Sequence, residues 1–161
     1  MNEHFMNVAI KLSGDKLEEG RGGPFGAIVV RTSDNKIVGK GNNTVIPGHD
    51  PTAHAEVQAI RDACKNLKTH ILKGCIIYTS CEPCPMCLGS IYWARLDKIY
   101  YANTRQLAAS IQFDDEFIYD ELKKNIKDRV IPGIHMKNTN AMSVFNRWKV
   151  LQNSTGHKYD Y

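Results

Sequence analysis

Two short segments carry residue types from which a metal-assisted reaction can be built. They are Pro51-Thr52-Ala53-His54-Ala55-Glu56 and Cys81-Glu82-Pro83-Cys84-Pro85-Met86-Cys87, each at the expected start of a helix. A helix advances about 100° per residue, so His54 and Glu56 lie about 200° apart and cannot share a mid-helix face. They can share a site only if the first turn points into it end-on. Cys84 and Cys87, at i and i+3, do share a face, and the N–H groups and dipole of a helix start favour thiolates there. One imidazole and two thiolates make three zinc ligands. A tetrahedral zinc so held keeps its fourth position for water, whose pKa falls toward about 7, as a hydrolytic reaction requires. Glu56 is placed to take a proton from that water and pass it to a leaving group.

Cys81 offers a different outcome. Were it to join His54, Cys84 and Cys87, the result would be a closed Cys3His structural zinc with no catalytic position. Against this, Cys81 is expected to end a strand before Pro83, whereas Cys84 and Cys87 follow on a helix. Cys64 and Cys75 have no partner spacing and read as core residues. Glu82 is expected to stabilise the helix start that follows it.

The elements that must position these groups show in the periodicity. Residues 3–19 place Phe5, Val8, Ala9, Leu12 and Leu17 at helical intervals, with Gly20 as a stop. Phe25 to Arg31, a Ser33-Asp34-Asn35 turn and Ile37 to Asn42 form a β-hairpin signal. Asp50-Pro51 reads as a cap followed by Pro at the first helical position, opening a helix to about Leu67. Cys75 to Thr79 reads as a strand, Cys84 to Arg95 as a helix and Asp97 to Ala102 as a strand. Residues 105–124 look helical, Ile134 to Lys137 reads as a last short strand, and Ala141 to Leu151 is amphipathic through Val144, Phe145 and Trp148. Alternating strands and helices predict an α/β fold. It is a three-layer α/β/α sandwich on a mixed, largely parallel, five-stranded sheet.

Composition sets the outer limits. A chain of 161 residues with 42% apolar and 24% charged residues is one ordinary globular domain over residues 1–161. The formal net charge of +4 is split evenly between residues 1–80 and 81–161, and no clustered basic stripe marks a nucleic-acid partner. No apolar run approaches the roughly 18 residues of a membrane span. With no basic start leading into an apolar stretch, and with three of five cysteines crowded at 81, 84 and 87, a reducing, cytoplasmic location is expected.

The pattern His-x-Glu, followed at a distance by Pro-Cys-x-x-Cys, is that of zinc nucleobase deaminases, and every fixed position is met. The chain resembles the cytidine deaminase-like zinc hydrolases, most closely their bacterial guanine deaminase branch. The resemblance is carried by Gly22-Gly23-Pro24-Phe25-Gly26-Ala27, Asp50 to Glu56, Tyr78 to Cys87, Gly89-Ser90-Ile91-Tyr92-Trp93-Ala94-Arg95 and Phe113-Asp114-Asp115-Glu116-Phe117-Ile118-Tyr119. The last of these separates the guanine branch from tRNA adenosine deaminases, which share the others in part. By this resemblance His54, Cys84 and Cys87 hold Zn2+ and Glu56 shuttles protons. Asn43 hydrogen-bonds a purine, Asp115 accepts from its N–H groups, Phe25 stacks on it, and Ala55 and Tyr161 complete the substrate site. Composition alone leaves Asn43 open as a turn residue, Asp115 as a helix cap and Phe25 as core. The resemblance further implies hydrolysis of guanine to xanthine and ammonia, with guanosine, another aminated heterocycle or a tRNA adenosine as rival substrates. It implies a homodimer with exchanged C-terminal segments, residues 152–161 closing the active site. The chain departs from the pattern at Gln112, where related enzymes commonly carry glycine.

Overall fold

A computed structural model describes residues 2–15, 17, 20 and 22–155. The chain forms two compact units, residues 1–120 and 121–161.

The first unit is built on a hairpin and two crossovers. Helix α1 (Glu3–Asp15) precedes strands β1 (Gly26–Arg31) and β2 (Lys36–Asn42), which pair antiparallel across a turn that takes Asn35 to φ 54°. A one-turn helix α2 (Val45–Gly48) leads to helix α3 (Ala55–Leu67). Strand β3 (Cys75–Cys81), helix α4 (Pro85–Ala94) and strand β4 (Lys98–Asn103) follow, then helices α5 (Arg105–Ala109) and α6 (Glu116–Lys123). The sheet order is β2-β1-β3-β4.

Two features of the expected sheet are corrected. Among the described residues it has four strands, and only β3 with β4 runs parallel, while β1 pairs antiparallel with both β2 and β3. The α3 crossover does return β3 in the direction of β2, but β1 lies between them, so their shared direction creates no parallel ladder. Residues 134–137 form no strand; Ile134 is 86% exposed. A short apolar alternation makes a strand only where a partner edge supplies its hydrogen bonds.

Strand residues alternate between two layers of helix. Ala27, Val29 and Ile77 pack with Ala55, Ala59 and Ala63 of α3 and Ile91 of α4. Ile28, Val30 and Tyr78 pack with Phe5 and Ala9 of α1 on the opposite face. The helix α3 lies directly on β2. A Cβ at Gly39 would stand 2.3 Å from the Ala59 carbonyl oxygen, and one at Gly41 would stand 2.1 Å from that of Ala55. Only glycine admits backbone so close, and this contact fixes where the first turn of α3 lies.

That first turn starts later than the sequence suggests. Oδ1 of Asp50 accepts from the backbone N of Thr52 (2.8 Å) and its hydroxyl (2.6 Å), closing a local turn. His54 occupies the N-cap position instead. The expected helix over 105–124 is likewise divided. Gln112 takes φ 72°, a left-handed conformation that suits glycine, and Oδ1 of Asp114 accepts from Glu116 N at 2.9 Å, where α6 starts anew.

The second unit contains the end of α6, a 3-10 turn at Ile126–Asp128 and helix α7 (Ala141–Thr155). Glu121 Oε2 accepts from Val130 N at 2.6 Å, tying the intervening segment to α6. Val144, Phe145 and Trp148, the apolar set expected on α7, are exposed.

Candidate active site

His54 and Cys84 are the N-cap residues of α3 and α4, so both helix starts point end-on into one place. Pro85 opens α4 at a position where its missing N–H costs nothing, and Cys87 follows one turn in. The ligand atoms of His54, Cys84 and Cys87 all lie within 4.8 Å of one another. Nδ1 of His54 is 3.6 Å from Sγ of Cys84 and 3.5 Å from Sγ of Cys87. Bonds of about 2.3 Å to sulfur and 2.0–2.1 Å to nitrogen in a tetrahedron separate those atoms by about 3.5 Å. The three residues therefore fit zinc.

Hydrogen bonds from Cys87 and His54 hold the Cys84 thiol down to about 4, in the thiolate range, despite partial burial. The hydrogen bond to Cys84, together with burial, pushes Cys87 up. The hydrogen bond with Cys84 raises His54. Cys81 stands apart from the group. Its Sγ donates to the Thr104 carbonyl at 3.8 Å, and burial pushes its thiol up to about 11. No fourth side chain joins the three ligands among the described residues, so the closed Cys3His arrangement does not form.

Glu56 projects from the first turn of α3 and is 6% exposed. Its Oε2 lies 3.4 Å from Sγ of Cys87, and its Oε1 accepts from the Thr79 hydroxyl at 3.1 Å. Burial pushes its carboxyl above the usual range. Ala55, beside it, is wholly buried.

The expected substrate residues are placed as follows. Asn43 directly follows β2 and is 7% exposed. Its Oδ1 accepts from Val45 N at 3.2 Å, which makes the turn that composition allows while leaving Nδ2 as the donating end. Phe25 is half-buried and meets Phe113 edge-on, centroids 4.9 Å apart. Asp115 is half-buried, and burial, then the Cys84 charge, raises its carboxyl. Asp115 directly precedes α6 and its backbone carbonyl accepts from Ile118 N at 3.0 Å, while the carboxylate that accepts from Glu116 N is that of Asp114. Tyr161 lies outside the described residues.

Several contributors went unassigned in the sequence. Thr79 holds Glu56, and Ser80 Oγ accepts from Gly26 N at 3.0 Å, beside Phe25. The Tyr119 hydroxyl donates to the Pro83 carbonyl at 3.1 Å, and the Arg105 guanidinium lies 4.8 Å over the Tyr119 ring. Glu82 accepts from Arg105 N at 3.2 Å, serving α5 and not the helix that directly follows it. Strand alternation could have marked Thr79 as facing α3, because Ile77 and Cys75 face that layer. Nothing local marks Tyr119 or Arg105.

Three residues that fit zinc, with a buried carboxylate in contact with one of them, differ from the four-ligand set of a structural zinc site. They place the protein among zinc-dependent hydrolases of the nucleobase deaminase class. The chain belongs to the cytidine and deoxycytidylate deaminase zinc-binding family, matched over residues 1–103. It is 47% identical to a guanine deaminase of Bacillus subtilis (strain 168) over 152 residues, 94% of this chain and 96% of that one. An X-ray structure of Bacillus subtilis guanine deaminase matches with a TM-score of 0.89 and 45% identity, over 100% of this chain and 98% of the other. A tRNA-specific adenosine deaminase of Haemophilus influenzae is 34% identical over 133 residues, 83% of this chain and 75% of that protein.

Proposed function

We propose that this protein is a zinc-dependent guanine deaminase, converting guanine and water to xanthine and ammonia. The observation that carries the reading is the extent of the likeness: 47% identity over 94% of the chain, well beyond the zinc-binding region. The tRNA-specific relative stands at 34% over 83%. Both compact units then serve one deaminase domain spanning residues 1–161.

His54, Cys84 and Cys87 are the residues that hold the zinc. Zinc bound there supplies a water of lowered pKa as nucleophile toward C2 of the purine. Glu56 moves two protons in turn. It first takes one from the attacking water and gives it to N3. It then takes the proton of the new C2 hydroxyl and gives it to the amino group, which leaves as ammonia while C2 becomes a carbonyl. Asp115 accepts from purine N–H groups, Asn43 donates through Nδ2, Ala55 lines the site and Phe25 supplies a face for the base. These polar groups favour guanine over adenine, because the wrong base leaves them desolvated and unpaired.

A homodimer in the cytoplasm completes the reading. The uncovered Val144, Phe145 and Trp148 of α7 and the exposed Ile131 and Ile134 are the kind of surface that a second copy covers. All five cysteines are free, which suits a reducing compartment. No helix of the described residues is long and apolar enough to cross a membrane. The C-terminal residues, with Tyr161, close the partner's site. Deleting Lys158 to Tyr161 should then lower kcat/KM and leave zinc content unchanged.

An ultraviolet assay with guanine, guanosine, cytosine, adenine and an anticodon stem-loop tests the substrate. Turnover of guanine well above the rest is expected, and preference for the stem-loop would overturn the reading.

A further inference from the structure

We propose that Thr79 is a positioning residue for Glu56, its hydroxyl holding Oε1 so that Oε2 alone moves protons. The inference rests on the reading of Glu56 as the proton carrier. The terminal torsion of a glutamate side chain is broad and roughly two-fold, so a carboxylate projecting from a helix start has no intrinsic preference for which oxygen faces the substrate. Here the two oxygens have different neighbours. Oε1 accepts from Thr79 Oγ1 at 3.1 Å, and Oε2 lies 3.4 Å from Sγ of Cys87. Once Cys87 binds zinc as a thiolate it has no proton to donate, whereas the Thr79 hydroxyl still has one.

The donor is itself rigidly held. Thr79 is 1% exposed and sits in β3 between Ala27 of β1 and Tyr101 of β4, so its backbone is locked by ladders on both sides. A β-branched side chain in a strand has restricted χ1, and the hydroxyl direction is set by the sheet before any substrate arrives. A serine keeps the donor and loses some of that restriction. A valine keeps the shape and loses the donor.

The test uses the full-length, zinc-loaded chain with Thr79→Val, Thr79→Ser and Glu56→Ala. Thr79→Val should lower kcat for guanine by about 10- to 100-fold, as expected for loss of a hydrogen bond to a charged group. KM should stay within about threefold and zinc content should match wild type. Thr79→Ser should restore kcat to within about threefold of wild type. The infrared carboxyl band of Glu56, identified by its loss in Glu56→Ala, should shift in Thr79→Val and not in Thr79→Ser, with or without zinc. Should Thr79→Val fail to fold, the comparison of Thr79→Ala with Thr79→Ser carries the same expectation. A wild-type kcat in Thr79→Val overturns the proposal, as does a Thr79→Ser protein as impaired as Thr79→Val. Wild-type turnover in Glu56→Ala would instead remove the proton-carrier reading itself.

Discussion

Oε2 of Glu56 lies 3.4 Å from Sγ of Cys87, so the buried carboxylate touches one of the three groups that fit zinc. His54 and Glu56, about 200° apart around an ideal helix, meet at one site because His54 stands before the helix and Glu56 within its first turn.

Glu56→Ala should therefore keep its zinc and lose guanine turnover by about 10,000-fold or more, because in the proposed mechanism the same carboxylate serves both proton transfers. Steady-state kinetics beside metal analysis decide this, and a variant that also loses zinc would point to a structural role.

Cys84→Ser should lose metal, whereas Cys81→Ser should keep about one zinc per chain, because the Cys81 thiol faces the Thr104 carbonyl and lies outside the ligand group. Chelation of the wild type should abolish activity and lower Tm, with both restored by added zinc. Zinc loss in Cys81→Ser without loss of fold would revive the closed site.

On the proposed role of Asp115 as acceptor from purine N–H groups, Asp115→Asn should lower kcat/KM for guanine by about 100-fold or more, since the substrate then meets a mismatched amide. Asn43→Ala should act in the same direction, and part of its effect should appear as lower Tm because Oδ1 also holds Val45 N. Relative kcat/KM for guanine and adenine gives the readout.

Gly41→Ala should harm fold and site together. The added Cβ would meet the Ala55 carbonyl at 2.1 Å and Ala59 N at 2.4 Å, forcing α3 off β2. Overpacking of this kind costs about 3 kcal/mol or more against backbone. Urea unfolding and zinc content should both change, and a wild-type midpoint would contradict the close approach.

Acid stability should carry the signature of the hairpin turn. Asp34 accepts from Arg31 Nε at 3.0 Å and Nη2 at 2.7 Å, and the hydrogen bond to Arg31 holds its carboxyl down to about 2. A folded-state value below the unfolded one, near 3.9, stabilises the fold fully above that unfolded value. The contribution is lost as pH falls through about 2. The pair is exposed, so the effect should be small and weakened by salt. Asp34→Asn should lose less stability than wild type between pH 5 and pH 2 in urea titrations.

Much of this protein is determined by its sequence alone. The His54, Cys84 and Cys87 group that fits a metal, the hairpin and the order of most helices and strands follow from residue type, spacing and period, because each depends on neighbours a few positions away. Helix boundaries shifted where local chemistry competed, as at Asp50, which closes its own turn and leaves the cap to His54, and at Gln112, which breaks a helical stretch. What only the tertiary structure decided depends on partners far along the chain. Strand β1 came to lie between β2 and β3, so a fold of alternating strands and helices has mostly antiparallel pairing. Residues 134–137, apolar enough for a strand, have no ladder among the described residues. Cys81 lies outside the group of His54, Cys84 and Cys87, with its Sγ 3.8 Å from the Thr104 carbonyl, a partner 23 positions away that no spacing rule shows. Thr79 meets Glu56 across 23 positions only because glycines at 39 and 41 let α3 settle on the sheet. Short-range periodicity names the groups, but their distances are set by close packing between layers, where a single Cβ is enough to move a helix.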